Sequence, residues 1–158
     1  MRGNEKVIEQ LNAGLASELT AIVQYMTQAE MCRNWGYNQL GDRTEARAIE
    51  EMKHAEALIE RIIFLDAIPN LAIGLKPQFG SNVQQQMDIN LKDELDAVRE
   101  YNEAINVCVA AKDDGSRQLF ERLLKDEERH VDYLEAQVHS IKEVGIGNYL
   151  SQFLESAK

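Results

Sequence analysis

Six residues that can bind metal ions recur in this chain at one spacing. The first three are Glu18, Glu51 and His54, and the same residue types follow 76 positions later at Glu94, Glu127 and His130. Each half of the chain therefore supplies one isolated Glu and one Glu-x-x-His pair. Residues three apart lie on the same face of a helix. Both side chains of each pair can thus point toward one site.

The six residues lie on seams that are otherwise apolar. The first seam advances by alternating threes and fours through Ile8, Leu11, Leu15, Glu18, Ile22, Tyr25, Ala29 and Cys32. A charged group in such a core position is costly unless it is paired or binds a metal ion. Two divalent cations would neutralise four ionised Glu while both His stay neutral. Oxygen-rich ligation with one imidazole per ion suits iron or manganese better than structural zinc, and it is the ligand set of a di-iron carboxylate site in a four-helix bundle.

The periodicity predicts one all-α domain over residues 1–158 that can position this site. Four long helices are expected at about 5–34, 39–66, 83–112 and 116–144, with a short amphipathic helix at about 147–155. Turns at Gly36 and at Asp113–Ser116 would place the ligands of each hairpin opposite each other, at the same height along the helices. Both prolines fall between about residues 67 and 82, a stretch long enough to cross the whole bundle. The second and third helices should therefore be parallel.

Charge and composition exclude several classes of function. The net charge is −10 and no basic cluster is present, so nucleic acid is not an expected partner. No apolar run approaches membrane length, so no membrane association and a cytoplasmic location are expected. Cys32 and Cys108 are single residues on helical seams, which favours buried thiols over ligands or a disulfide.

Several segments resemble the bacterioferritins along essentially the whole chain. They are LNAGLASELTAIVQY, NWGY, IEEMKHAEALIERIIFLDAIPNL, DEERHVDYLE and GNYL. The two Glu-x-x-His motifs alone indicate only the wider ferritin-like class, whereas IEEMKHA together with IPNL is more specific. The resemblance implies a ferritin-like four-helix bundle with one long crossover and a short C-terminal fifth helix.

The resemblance also implies an iron-storage function. Glu51 and Glu127 would bridge two iron ions per subunit, Glu18 and His54 would complete one position, and the corresponding pair Glu94 and His130 the other. Ferrous iron would be oxidised there by dioxygen or peroxide, and the ferric mineral would be stored in a hollow homo-oligomer of 24 subunits built from two-fold dimers. A b-type haem shared between two subunits and a ferredoxin-type reductant for iron release are further expectations. Gln28, Ala46 and Glu50 depart from patterns in other members, which argues against an accessory iron site on the inner wall.

Comparison of the two halves supplies a separate argument for haem at Met52. Met52 lies about 100° around its helix from Glu51, off the core seam, and its repeat partner is Glu128. The neighbouring stripe Leu19, Val23, Met26 and Ile49 is more apolar than its counterpart in the second half. Met52 side chains from two subunits could therefore meet across a two-fold axis as axial haem ligands. The alternative is a haem-free dimer interface.

Other classes of protein remain as alternatives. A haem-free ferritin shares the six ligands, and a peroxide-reducing rubrerythrin usually adds paired CxxC motifs, which this chain lacks. In DNA-protecting miniferritins the iron site lies between subunits, and a purely structural bundle leaves the seam charges unexplained. Two roles stay open for Tyr25 and Tyr101: orienting the ligating carboxylates or filling the core. We expect the apolar face of the fifth helix to contact neighbouring subunits and His139 to lie on the surface.

Overall fold

The chain folds as a bundle of four long helices with a short fifth one, as the sequence predicts. A computed structural model describes residues 1–72 and 74–154, and within that part all regular structure is helical. The elements are α1 (Glu5–Asn34), α2 (Asn38–Phe64), α3 (Val83–Ala110), α4 (Asp114–Val144) and α5 (Ile146–Ser151). No helix in the described part is both long and apolar enough to span a membrane.

Hydrogen bonds between helices fix their directions. The Tyr25 hydroxyl on α1 donates to Glu94 on α3, and the Tyr101 hydroxyl on α3 donates to Glu18 on α1. Residue numbers thus rise on one helix as they fall on the other, so α1 and α3 are antiparallel. Since α1 and α2 form one hairpin and α3 and α4 the other, α2 and α3 are parallel.

The crossover between α2 and α3 runs along α1. The Asn70 N–H donates to the Asn12 side chain at 2.7 Å near the start of α1. Further on, the Gln78 N–H donates to the Gln24 side chain at 2.9 Å. The Gln28 amide donates to the Phe79 carbonyl at 3.3 Å. Polar side chains of α1 therefore replace the regular hydrogen bonds that this segment lacks.

The two hairpin turns differ in how well the sequence predicts them. Gly36 has a φ of 90° between α1 and α2, as expected for a glycine turn. The second turn lies two residues before the predicted Asp113–Ser116, because Lys112 adopts the left-handed conformation with a φ of 56°. Asp113 is the N-cap of α4 and accepts from the Ser116 N–H at 2.9 Å. The Asp-Gly pair that suggested a turn thus opens a helix instead.

Two apolar clusters form the core, one toward each end of the bundle. The first includes Leu11, Leu15, Leu58, Ile62, Phe120 and Leu123. The second includes Cys32, Leu40, Met87, Leu134, Tyr149 and Phe153. The six candidate ligands lie between the clusters in sequence, at the middle of the four long helices. The helices are thus anchored on both sides of the site.

The fifth helix is shorter than predicted and its apolar face is already covered. It ends at Ser151 rather than near residue 155, which lies outside the described part, and the Ser151 hydroxyl bonds back to the Asn148 carbonyl. Tyr149 and Phe153 are each only 1% exposed, because they pack into the second core cluster. Their burial within this chain leaves mainly Leu154, which is 53% exposed, for contact with a neighbouring subunit.

A candidate dinuclear metal centre

The structure brings all six predicted ligands together in the middle of the bundle. They form two overlapping groups in which one ligand atom per residue lies within 4.8 Å of the others. One group is Glu18, Glu51, His54 and Glu127, and the other is Glu51, Glu94, Glu127 and His130. All six are buried. The two groups share Glu51 and Glu127, which is the arrangement expected for two metal positions with two bridging carboxylates.

The individual oxygen atoms of these two carboxylates support the same division. Glu51 places Oε2 3.2 Å from His54 Nδ1 and Oε1 3.1 Å from His130 Nδ1. Glu127 places Oε1 3.0 Å from His54 Nδ1 and Oε2 3.6 Å from His130 Nδ1. Each carboxylate therefore faces both imidazoles, one oxygen to each. By contrast, Glu18 approaches only His54, at 3.4 Å, and Glu94 approaches only His130, at 3.6 Å.

Four polar atoms at the centre are buried without a hydrogen bond of acceptable geometry. They are Glu51 Oε1, His54 Nδ1, Glu127 Oε1 and His130 Nδ1. Buried polar atoms almost always have a partner, because losing water without replacement costs about 1–3 kcal/mol per group. All four belong to the residues that surround the two proposed positions. Metal ions would supply the missing partners.

Two further acids orient the imidazoles from the other side. His54 Nε2 lies 3.0 Å from Asp126, and His130 Nε2 lies 2.7 Å from Glu50. A carboxylate at Nε2 holds the proton on that nitrogen, so Nδ1 can present its lone pair to a metal ion. Sequence reasoning did not assign this role to either acid. The signal was present, because Glu50 and Asp126 are also 76 residues apart and each precedes a shared Glu.

The two core tyrosines donate hydrogen bonds to the outer carboxylates. The Tyr25 hydroxyl lies 2.6 Å from Glu94 Oε1, and the Tyr101 hydroxyl makes the equivalent bond to Glu18 Oε1. Burial, together with the charge of the carboxylate that each contacts, raises the pKa of both phenols well above the ordinary value. Both phenols therefore keep their protons and act as donors. The structure thus favours the orienting role over simple core filling.

In the absence of metal ions, bound protons can balance the negative charge of the four carboxylates. Burial raises the pKa of Glu18 and Glu94 well above the usual range, and the neighbouring carboxylates add to the shift. At Glu51 and Glu127 burial acts in the same direction, but hydrogen bonds from the other groups outweigh it and lower the pKa. Burial disfavours charge on both histidines, yet the close carboxylates, Glu127 foremost, outweigh it, raise the pKa of both and bring that of His130 to about 12. Two neutral carboxyls, two carboxylates and two imidazolium ions then sum to zero charge.

A cleft between α1 and α3 gives access to the carboxylates. It has a volume of about 550 Å³, and Glu18, Glu51, Glu94 and Glu127 all contribute to its walls. Acidic residues nearer the surface, including Asp93, Asp96 and Glu100, also line it. Lys76 also lines the cleft, but acidic side chains predominate there, which favours the approach of a small cation.

The predicted apolar strip beside Met52 lies on the surface of α1 and α2. Met52 is 44% exposed and Met26 is 56% exposed, with Val23 and Ile49 exposed between them. Helices α1 and α2 are antiparallel, since Arg33 pairs with Asp42 across them at 3.0 Å. These exposed apolar residues on α1 and α2 are available to a partner. His139 is exposed, as predicted.

Comparisons with known proteins place the chain in a family. The ferritin-like domain matches residues 8–144. Bacterioferritin from Brucella melitensis is 41% identical over 149 residues, which cover 94% of this chain and 92% of the relative. Bacterioferritin from Rhodobacter capsulatus is 40% identical over 92% of this chain and 90% of the relative, and that from Streptomyces coelicolor is 38% identical over 100% and 95%. The chain therefore belongs to the bacterioferritin family of ferritin-like proteins.

Proposed function

We propose that this chain stores iron and oxidises ferrous iron at the centre formed by Glu18, Glu51, His54, Glu94, Glu127 and His130. The observation that carries this proposal is the geometry of Glu51 and Glu127, each of which directs one oxygen toward each imidazole. A single metal ion would not require two carboxylates that each face both imidazoles. Two ions side by side would use all the buried atoms that lack partners.

The reaction is balanced with either of two oxidants. Two ferrous ions each give up one electron. Dioxygen takes up the two electrons with two protons to form peroxide, and peroxide takes up two electrons with two further protons to form two water molecules. The paired arrangement favours such two-electron oxidants, because both electrons leave from one site.

The protein residues provide position, charge and exclusion of water. Four carboxylates offset the charge of two divalent ions, so loading the site does not leave an unpaired buried charge. Tyr25 and Tyr101 hold the outer carboxylates, while Glu50 and Asp126 hold the imidazoles. With both sides of the ligands held, little rearrangement is needed when iron enters.

The test is oxidation of ferrous iron by the variant Glu127→Ala, followed by stopped-flow absorbance with dioxygen and separately with peroxide. We expect loss of the fast phase, because the substitution removes a ligand from both positions. Glu128→Ala is the matched control, since Glu128 is exposed and the change in charge is the same. An unchanged fast phase in Glu127→Ala would rule out the assignment. Rapid reaction with peroxide alone would identify peroxide as the oxidant.

We further propose that the product is stored in a hollow homo-oligomer of 24 subunits built from two-fold dimers. Membership of the bacterioferritin family supports this assembly, and the exposed apolar strip on α1 and α2 supplies a surface for the dimer. Light scattering after size-exclusion chromatography measures the mass. A monomer or an isolated dimer at micromolar concentration would contradict the shell.

We also propose that the same strip holds a haem shared between two subunits, to which Met52 would supply a thioether ligand. Its exposed thioether is a soft donor, and Met26, Val23 and Ile49 offer the apolar surroundings that a porphyrin needs. Bound haem would supply a one-electron carrier. Refolding with haem should give a low-spin spectrum of bis-thioether type that Met52→Leu abolishes and Met26→Leu keeps. If Met52→Leu retains the spectrum and the stoichiometry, Met52 is not the ligand and the haem-free alternative gains support.

A further inference from the structure

The two halves of the centre have the same types of ligand but different cationic neighbours. Arg47 on α2 lies beside Glu94, with Nη1 3.9 Å from Oε1. Its guanidinium lies over the Tyr133 ring, 5.5 Å from the centroid, and the side chain is only 15% exposed. The aromatic ring on α4 thus holds a positive charge next to one outer carboxylate.

The other half has no such charge. The residue that corresponds to Arg47 by the spacing of 76 is Leu123, which is 1% exposed and packs in the first core cluster. Within the part of the chain that the structure describes, Glu18 forms an ion pair with His54 and with no Lys or Arg. Among the described residues, Glu18 therefore has no counterpart of the ion pair between Arg47 and Glu94.

The remaining interactions of the centre are matched between the halves. Each outer carboxylate accepts one tyrosine hydroxyl, and each imidazole Nε2 meets one acid. A second cation, Arg129, lies beside the acids that contact the imidazoles, 3.2 Å from Glu50 and 3.3 Å from Asp126. Arg129 thus acts on both halves almost equally. Among the ion pairs of the two outer carboxylates in the described part of the chain, the pair with Arg47 is present in one half and not in the other.

We propose that Arg47 makes the two metal positions unequal in affinity. The first divalent cation binds at the Glu18–His54 position, and the Glu94–His130 position binds the second cation more weakly and releases it first. A fixed positive charge repels an incoming divalent ion, and it also competes for the carboxylate that should neutralise that ion. Both effects act in the same direction. This inference rests on the proposed dinuclear centre and adds an order of loading and release.

The direct test is a titration of the metal-free protein with Co²⁺. The visible spectrum of Co²⁺ reports its coordination, and the use of Co²⁺ avoids the oxidation that would accompany iron binding. We expect two binding phases whose dissociation constants differ at least about tenfold, which corresponds to about 1.4 kcal/mol. Arg47→Leu installs the residue type of the other half. It should tighten the second phase and reduce the difference to about threefold or less, whereas Arg47→Lys should keep the two phases apart.

Anomalous diffraction at the cobalt edge identifies which position fills. With one Co²⁺ per subunit, the wild-type protein should show cobalt beside His54, and Arg47→Leu should show it divided between the two positions. Occupancy beside His130 in the wild-type protein would overturn the proposed order. Crystallographic occupancy and the spectroscopic titration report the same inequality independently of oxidation rate.

Arg43→Leu is the matched control. Arg43 lines the same cleft of about 250 Å³ as Arg47, but its guanidinium lies over the Phe153 ring, 5.4 Å from the centroid. Its removal should leave the two phases apart, and an equal effect of both variants would overturn a specific role for Arg47. Should Arg47→Leu fail to fold, Arg47→Gln removes the charge with a polar side chain and is judged by the same criterion.

The outcomes separate this inference from the function on which it rests. If the wild-type protein binds no Co²⁺ at the six ligands, the proposed centre itself is wrong. If it binds two ions with equal affinity, or if folded Arg47→Leu and Arg47→Gln keep the wild-type separation, the dinuclear centre stands and the role of Arg47 is refuted.

Discussion

Metal binding should release about four protons per subunit at neutral pH. In the metal-free centre, protons remain on Glu18 and Glu94 because burial raises the pKa of both, and on both histidines because the carboxylates raise theirs. Two carboxyl protons and two Nδ1 protons make four. Two divalent ions carry four positive charges, so the exchange leaves the buried centre neutral throughout. Ligands must lose these protons before they coordinate.

The magnitude follows from linkage. Four released protons make the overall constant for binding two ions rise about 10⁴-fold per pH unit, or about 5.5 kcal/mol at 1.36 kcal/mol per proton. The sign is fixed by the raised pKa values. Metal binding strengthens as the pH rises and weakens as the pH falls, over the range in which all four groups remain protonated in the metal-free protein.

Calorimetric titration with Zn²⁺ in buffers of different ionisation enthalpy measures the number of protons directly. The variant Glu18→Gln should release about three, because the amide replaces a neutral carboxyl and has no proton to lose. Glu128→Gln, which changes an exposed residue, should still release about four. Release of two protons or fewer by the wild-type protein would refute the charge argument, since the carboxylates would then be ionised without metal.

Two further predictions concern the hydrogen bonds of Tyr101 and Asp113. Tyr101→Phe removes the hydrogen-bond donor to Glu18 and should weaken metal binding at the Glu18–His54 position about tenfold. Titration with Co²⁺ measures this affinity. Tyr37→Phe, which lies outside the centre, should leave the affinity unchanged. Asp113→Ala removes the N-cap of α4 and the partner of Arg61. It should lower the free energy of unfolding by about 1–3 kcal/mol. Asp114→Ala, which changes an exposed residue, is the control. Partial burial opposes ionisation of Asp113, but the bonds from Ser116 and the charge of Arg61 lower its pKa. Its contribution is therefore complete at neutral pH and is lost as the pH falls below about 4, which denaturation at several pH values would show.

The sequence predicts the ligand set and the helices because both depend on periodicity along one chain. A Glu-x-x-His pair shares a helix face whatever the helix packs against, and the crossover length limits the topology. The turn before α4 was misplaced, because the left-handed conformation of Lys112 leaves no periodic signal. The fifth helix is also shorter than predicted. Its apolar spacing continues to Leu154, but the helix ends at Ser151.

Contacts across helices are harder to predict, because they depend on the axial position of one helix against another. Tyr25 and Tyr101 could not be assigned from sequence, since a buried tyrosine on a seam can fill space or reach a neighbour. Arg47 gave no signal of its own in the sequence. Its approach to Glu94 requires α2 and α3 to lie at a particular level, and only the folded bundle supplies that distance.

The internal repeat is kept where the two halves meet each other and lost where each meets different surroundings. Two ions that share Glu51 and Glu127 require equivalent ligands from both hairpins, so the six residues and their tyrosines match. Gln24 and Gln28 on α1 hold the crossover, and their counterparts on α3 are Glu100 and Ala104. Met52 faces outward where its counterpart is Glu128, and Arg47 stands where its counterpart is Leu123. Exchanging one of these residues for its counterpart should alter one property at a time. Replacement of Met52 should change haem binding, and replacement of Arg47 should change the order in which the two metal positions fill. The shared ligands admit no such exchange without loss of the centre, because each bridging carboxylate serves both positions at once.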